Sequence, residues 1–510
     1  MEEKTAWESA VEVEAKTDSE RYLAKLARRA FLSLWSYSNV HTDEGRTQGK
    51  GDGKELCDLL VVFGNHVLIF SDKACAFPKH PDTKVAWGRW YKSAVEKSVR
   101  QLTGAESFLK SHPGRIFLDK DCSVPFPFQL PDPASATFHL IAVTRGSHAA
   151  AHAFWEKQSS GSLMIDTSLD GRAHLQVPFR IGWPAGKKRF VHVLDEMALD
   201  IILEEFDTVP DLIAYFKAKE RFLTSVPIVT VAGEEQLVAR YQMSFEGGQH
   251  VLPEVPDGVD FVALVEGDWE QYCVSQERAA RCQADAASYM WDALIEYQSG
   301  FIRSGQAASP FFESASVDDH ERVVRAMASE TRFSRRILSE AFRYALNQSN
   351  PGYKFARIMP SAAYPNRLYV FLTLPRGATL NYQDYRAARV DLLMTYCHGL
   401  KLKFPDTLEV VGIASEPLVE NASSQDFLFV SLDQPLGPEE ELELREACDE
   451  LGIFQDATMV AKPFQAFEYP QAARPTMSAD LGQPAFMNRA MRRAYESQQK
   501  RAKGKPKRGR

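Results

Sequence analysis

The chain holds 510 residues, 45% of them hydrophobic and 25% charged, with a formal net charge of −8; this length allows roughly two or three domains with conventional apolar cores. The mild negative charge argues against a protein that coats nucleic acid, and no apolar run approaches bilayer-spanning length. The acidic start MEEKTAWESAVEVEAK lacks a signal-peptide core and the seven scattered cysteines show no CxxC spacing, so a cytoplasmic protein with reduced thiols, no membrane association and no structural zinc is expected.

In chain order, a helix opened by Asp18-Ser19-Glu20-Arg21 precedes the stretch GKELCDLLVVFGNHVLIFSDK, Gly53 to Lys73. Leu59 to Phe63 and Val67 to Phe70 are rich in branched and aromatic residues, and Gly64-Asn65 between them suits a type II′ turn. Neither strand alternates with polar residues, which predicts a central hairpin with helices on both faces. Glu55, Asp58, Asp72 and Lys73 stand at the ends of these strands. Charges there are costly to desolvate unless they pair with each other or hold a cation. A salt bridge is one use; the other is phosphodiester hydrolysis, where oxygen ligands hold one or two Mg²⁺ ions and an ammonium steadies charge on the phosphate.

An acid, a hairpin and an acid-x-Lys strand resemble the PD-(D/E)xK nuclease superfamily, over Asp18 to Leu109. The resemblance puts Asp58 at the first acidic position and Lys73 at the lysine position. It implies a further acid from the preceding helix, for which Glu20 is the candidate, and a Gln or Lys from the following helix, Lys97 or Gln101. The implied catalytic set is Asp58, Asp72 and Lys73, supported by Glu20, Glu55, Ser71 and Gln101, with Asp58, Asp72 and Glu55 as ligands for Mg²⁺ (or Mn²⁺) and DNA as substrate. In the superfamily the second acid lies two residues before the lysine, and here that position is Ser71. A two-residue turn pairs Phe63 with His66 and Asp58 with Ser71, so that Asp58, Ser71 and Lys73 share a face and Asp72 points away. A three-residue turn or a β-bulge instead brings Asp72 opposite Asp58 and displaces Lys73. Three readings stay open: Asp72 reaches the metal through a bulge, Glu55 or Glu20 replaces the missing acid, or the domain only binds.

Trp87 to Leu109 has helical spacing and stops at Ser111-His112-Pro113-Gly114. After a proline-rich stretch, Pro125 to Pro133, strands are predicted at Thr137 to Thr144 and Arg189 to Leu194, and helices at Met197 to Phe206 and from Asp207 to Phe222. This alternation predicts an α/β fold for 18–232, a restriction-endonuclease-like mixed sheet flanked by helices. A boundary is placed in Gly233 to Gly258. The second unit, 259–465, reads as helical (Asp268 to Tyr297 and Asp319 to Leu346) and then α/β. Its strands are expected at Leu368 to Thr373, Leu408 to Ile413 and Asp426 to Ser431, with helices at Tyr382 to His398 and Pro438 to Leu451. It carries no glycine-rich phosphate loop and no nucleophile elbow. The tail, 476–510, is basic; Arg489, Arg492, Arg493, Lys500 and Arg501 are candidates for salt-sensitive phosphate contacts.

His148 and His152 lie four apart but lack the intervening glutamate of zinc hydrolases. Trp35, Tyr37, Trp87, Trp90 and Tyr91 read as core rather than base-stacking residues. The expected function is therefore a Mg²⁺-dependent DNA nuclease, and the superfamily resemblance implies roles in restriction, defence against foreign DNA or repair. The alternative is a catalytically inactive binding or assembly module in which Asp58 and Lys73 form a structural pair. A partner protein or a homo-oligomer is the further partner class.

Overall fold

A computed structural model describes residues 17–470, apart from 50, 247–248, 305–316, 349–352, 378–379, 418–423, 456–458 and 463. The basic tail, with Arg489, Arg492, Arg493, Lys500 and Arg501, lies outside the described residues.

Thr17 opens the fold with a capping box: its hydroxyl accepts the Glu20 N–H and the Glu20 carboxylate accepts the Thr17 N–H, each at 3.2 Å. Helix α1 (Asp18–Trp35) follows, kinked at Leu32, whose φ of 62° is left-handed. Three antiparallel strands then form a meander, β1 (Ser36–Thr42), β2 (Lys54–Phe63) and β3 (His66–Ala74). Helix α2 (Thr83–Tyr91) runs through a π-helical turn (Lys92–Glu96) into α3 (Lys97–Ser111). The short β4 (Ile116–Phe117) borders β1, and β5 (Thr137–Arg145) joins β3 in parallel. Beyond the short α4 (His148–Phe154) come β6 (Met164–Asp170), β7 (Arg180–Trp183) and β8 (His192–Asp195).

The main sheet has the order β4-β1-β2-β3-β5-β8. Its centre is the β2–β3 hairpin, whose apolar runs Leu59–Phe63 and Val67–Phe70 are buried on both faces, as strands without polar alternation require. Packing on one face are α1, α5 (Glu196–Glu205) and α6 (Val209–Thr224); α3 packs on the other. Trp35, Tyr37, Trp87, Trp90 and Tyr91 are all buried in this core.

A second sheet, β12-β9-β6-β7, uses β9 (Ile228–Val231) and β12 (Phe261–Leu264), separated by α7 (Glu234–Met243) and the small hairpin of β10 (Phe245–Glu246) and β11 (Gln249–His250). Strand β12 pairs with β9 in parallel, so a segment beyond residue 259 completes a sheet begun in the first unit. Sequence patterning misses β6, β7, β9 and β12 because they are short or mix polar with apolar residues, leaving little periodicity to read.

The helical region comprises α8 (Asp268–Cys273), α9 (Gln276–Asp285), α10 (Tyr289–Arg303), α11 (Val317–Ala328) and α12 (Arg332–Asn347). Each of the two long helices expected here is divided. Ser275 accepts the Arg278 N–H at 3.1 Å and Thr331 the Ser334 N–H at 3.3 Å, and these caps restart the helix after two of the breaks, while Ala286–Ser288 between α9 and α10 is a 3-10 turn without a side-chain cap. The last sheet, β13-β14-β15-β16, is built from Phe355–Pro360, Arg367–Thr373, Glu409–Ser415 and Gln425–Ser431. Its helices α13 (Tyr382–Lys403) and α14 (Pro438–Glu450) match the expected positions; β13, whose sequence includes Arg357 and Pro360, does not read as a strand. Among the described residues no helix is long and apolar enough to cross a membrane.

Candidate functional site

The hairpin register decides which charges can meet. Phe63 pairs with His66 and Leu59 with Phe70, across a turn in which Gly64 has φ 54° and Asn65 has no positive φ, as a two-residue type II′ turn requires. One step further along the ladder Asp58 stands across from Ser71. Asp58, Ser71 and Lys73 accordingly share the α3 face of the sheet, and Asp72 faces α1.

Side-chain contacts follow this parity. Asp58 is buried, and its Oδ2 accepts the Asp72 backbone N–H at 2.6 Å and the Lys73 ammonium at 3.4 Å. Ser71 Oγ donates to Gln101 Oε1 at 2.9 Å and lies 3.2 Å from Ser98 Oγ, so α3 delivers Gln101 to this face while Lys97 stays exposed. The Lys73 side chain is 30% exposed against 3% for Asp58; the group opens to solvent at the lysine.

Glu55 joins by a different device. Three residues from Asp58, it would fall on the opposite face of a regular strand. Between β1 and β2, however, Val40 pairs with Cys57 and His41 with Glu55, so Leu56 is an extra residue in the ladder. This bulge restores the parity, and the Glu55 and Asp58 carboxyls share a hydrogen bond. Burial pushes the Asp58 carboxyl up to about 6; the Lys73 charge and the Asp72 N–H pull it down, and Glu55 adds to the rise.

The structure does not bring Asp72 or Glu20 to this group. The Asp72 carboxylate is held by Arg145, Nε to Oδ1 at 3.1 Å and Nη2 to Oδ2 at 3.1 Å, and Arg145 lies over the Tyr22 ring of α1. Burial raises the Asp72 carboxyl and Arg145 opposes the rise; Glu20, engaged in its helix cap, adds a smaller upward push from the α1 side. The carboxyl beside Asp58 is therefore that of Glu55, and that of Asp72 lies on the other face. One neighbour escapes sequence reasoning altogether. Asn39, between the pairs Ser38–Leu59 and Val40–Cys57, stands across β1 from Asp58. It is fully buried with φ 54°, and neither amide atom has a hydrogen-bond partner among the described residues. The available signal was a lone asparagine amid SYSNVHT.

No family model, curated protein or solved structure matches this chain.

Proposed function

We propose that the hairpin end is a divalent-cation site for phosphodiester hydrolysis, acting on DNA. The observation that carries this reading is the Glu55–Asp58 carboxyl pair, set beside the Lys73 ammonium by the Leu56 bulge. Two carboxyls sharing a hydrogen bond in a buried setting offer adjacent hard oxygens, and a cation can take the place of the proton between them. Ser71 lacks the acid of the superfamily pattern, and Glu55 supplies the second carboxylate in its place. Bound there, Mg²⁺ or Mn²⁺ supplies Lewis-acid polarisation of a phosphate oxygen. Lys73, at the solvent edge, holds charge on the scissile phosphate, and Ser71 anchors Gln101 on the same face.

A catalytically silent binding or assembly module is the second reading, favoured by the direct contact of Asp58 with Lys73. Incubation with supercoiled, duplex and single-stranded DNA separates the two. Cleavage with Mg²⁺ or Mn²⁺ that a chelator and Asp58→Asn both abolish is the expected result. DNA binding without cleavage under either cation supports the module, and equal cleavage by wild type and Asp58→Asn refutes the assignment.

A further inference from the structure

At the other end of β3, on its opposite face, three histidines meet. The parallel pairs Leu68–His139 and Ile141–His192 place His66, His139 and His192 on the face covered by α6. His66 Nδ1 lies 3.1 Å from His139 Nε2, and His192 Nε2 lies 3.1 Å from Glu220 Oε1 of α6. His139, His192 and Glu220 each offer a ligand atom within 4.8 Å of the other two.

We propose that His139, His192 and Glu220 bind a borderline transition-metal ion, Zn²⁺ by preference, which fastens α6 to the β5–β8 edge of the main sheet, and that His66 orients His139. Two buried ring nitrogens, Nδ1 of His139 and Nδ1 of His192, have no hydrogen-bond partner among the described residues. A neutral imidazole carries one N–H and one lone pair, so a structural histidine in an apolar layer should satisfy both. The unpartnered Nδ1 of His139 offers a lone pair to an ion, and in His192 the nitrogen facing Glu220 is Nε2, whose lone pair an ion between the two would take while Nδ1 keeps the proton. The donor set of two imidazoles and a carboxylate suits Zn²⁺ and disfavours Mg²⁺, which prefers oxygen. Tetrahedral zinc with bonds of about 2.1 Å needs ligand atoms about 3.4 Å apart, a closure within reach of side-chain torsions.

The surroundings fit. Phe216 stacks on His192 at 4.0 Å between ring centroids and tilts over His139, shielding the rings, while the Glu220 side chain is 36% exposed and gives an entry path. Contact between His66 and His139 resembles the outer hydrogen bond that commonly fixes a ligating ring. His66 and Asp72 are six positions apart along β3, roughly 20 Å of strand, so this site is separate from the hairpin end that carries Asp58.

Full-length chain, stripped with a chelator and dialysed against Zn²⁺ with excess Mg²⁺, should retain one equivalent of zinc by elemental analysis. The cobalt-substituted chain should show the visible absorption of a low-symmetry nitrogen–oxygen site. Glu220→Ala, a change at a partly exposed position, should fold normally by circular dichroism and weaken zinc about tenfold or more; His192→Gln should abolish stoichiometric binding, and Asp58→Asn should leave it unchanged. Absence of a retained equivalent in the wild-type chain, or binding that both Glu220→Ala and His139→Gln leave intact, overturns the proposal.

Discussion

Asp72 and Glu55, both expected beside Asp58, end in different surroundings. An acid-x-Lys reading makes Asp72 a ligand, yet the alternation of β3 turns it toward Arg145, while the Leu56 bulge brings the more distant Glu55 to Asp58. The two positions should respond differently to loss of charge. By calorimetry, Glu55→Gln and Asp58→Asn should each weaken Mg²⁺ binding about tenfold or more, a loss of at least about 1.4 kcal/mol. Asp72→Asn should leave Mg²⁺ affinity nearly unchanged and lower folding stability by roughly 2–4 kcal/mol, because Arg145 is left in a largely buried site without its carboxylate. A drop in affinity for Asp72→Asn alone would reverse the assignment. Gly64-Asn65 marked where the hairpin turns, but a two-residue and a three-residue turn put different side chains on each face, and only the observed pairing of Phe63 with His66 decides between them. The bulge was not legible, since it depends on which residues of β1 pair with β2, information that is non-local in the chain.

Among elements, the apolar strands of the main and last sheets were readable because continuous runs of Val, Ile, Leu and Phe have few other fates in a folded chain. The helical region shows the converse. The sequence pattern reads as helix straight through Ser275 and Thr331, and an amphipathic count ignores the hydroxyls that cap a new helix at each of these two positions. Thr331→Ala should remove the acceptor for the Ser334 N–H and lower stability by about 1 kcal/mol, whereas Thr331→Ser should keep most of it. Chemical denaturation of the two variants checks this, and equal losses would mean that the hydroxyl does not hold the break.

Across the whole molecule, buried ion pairs join the helical region to the first unit. Arg332 reaches the Asp207 carboxylate at 2.8 Å and its backbone oxygen at 3.0 Å, and also contacts Asp292 at 2.8 Å; Arg278 and Arg281 close on Glu205. Both acids flank the turn between α5 and α6, and one hydrophobic core runs from Leu23 to Ile413. Arg332→Met should therefore cost about 3 kcal/mol or more, with 18–232 and the helices unfolding in one transition rather than two. Burial alone would lift the Asp207 carboxyl; Arg332, the Tyr289 hydroxyl and Arg29 hold it below its usual range instead. A depressed carboxylate stabilises above its unfolded value, and loss of Arg332 lets burial lift Asp207, so the gap between wild type and Arg332→Met should be full near neutral pH and close as the pH falls into the acid range where Asp207 is protonated in both. A gap that persists in acid would place the effect in packing rather than charge.

The pairing of β12 with β9 also has a meaning in time. During synthesis β9 leaves the ribosome with β6 already available on one side, but its other edge waits for Phe261–Leu264, some thirty residues later. Until then the nascent chain presents an open strand edge that carries Ile228 and Val231, a template for pairing with the wrong chain. The order in which this protein can safely fold is thus set by a four-residue strand lying beyond the point where composition alone would end the first unit.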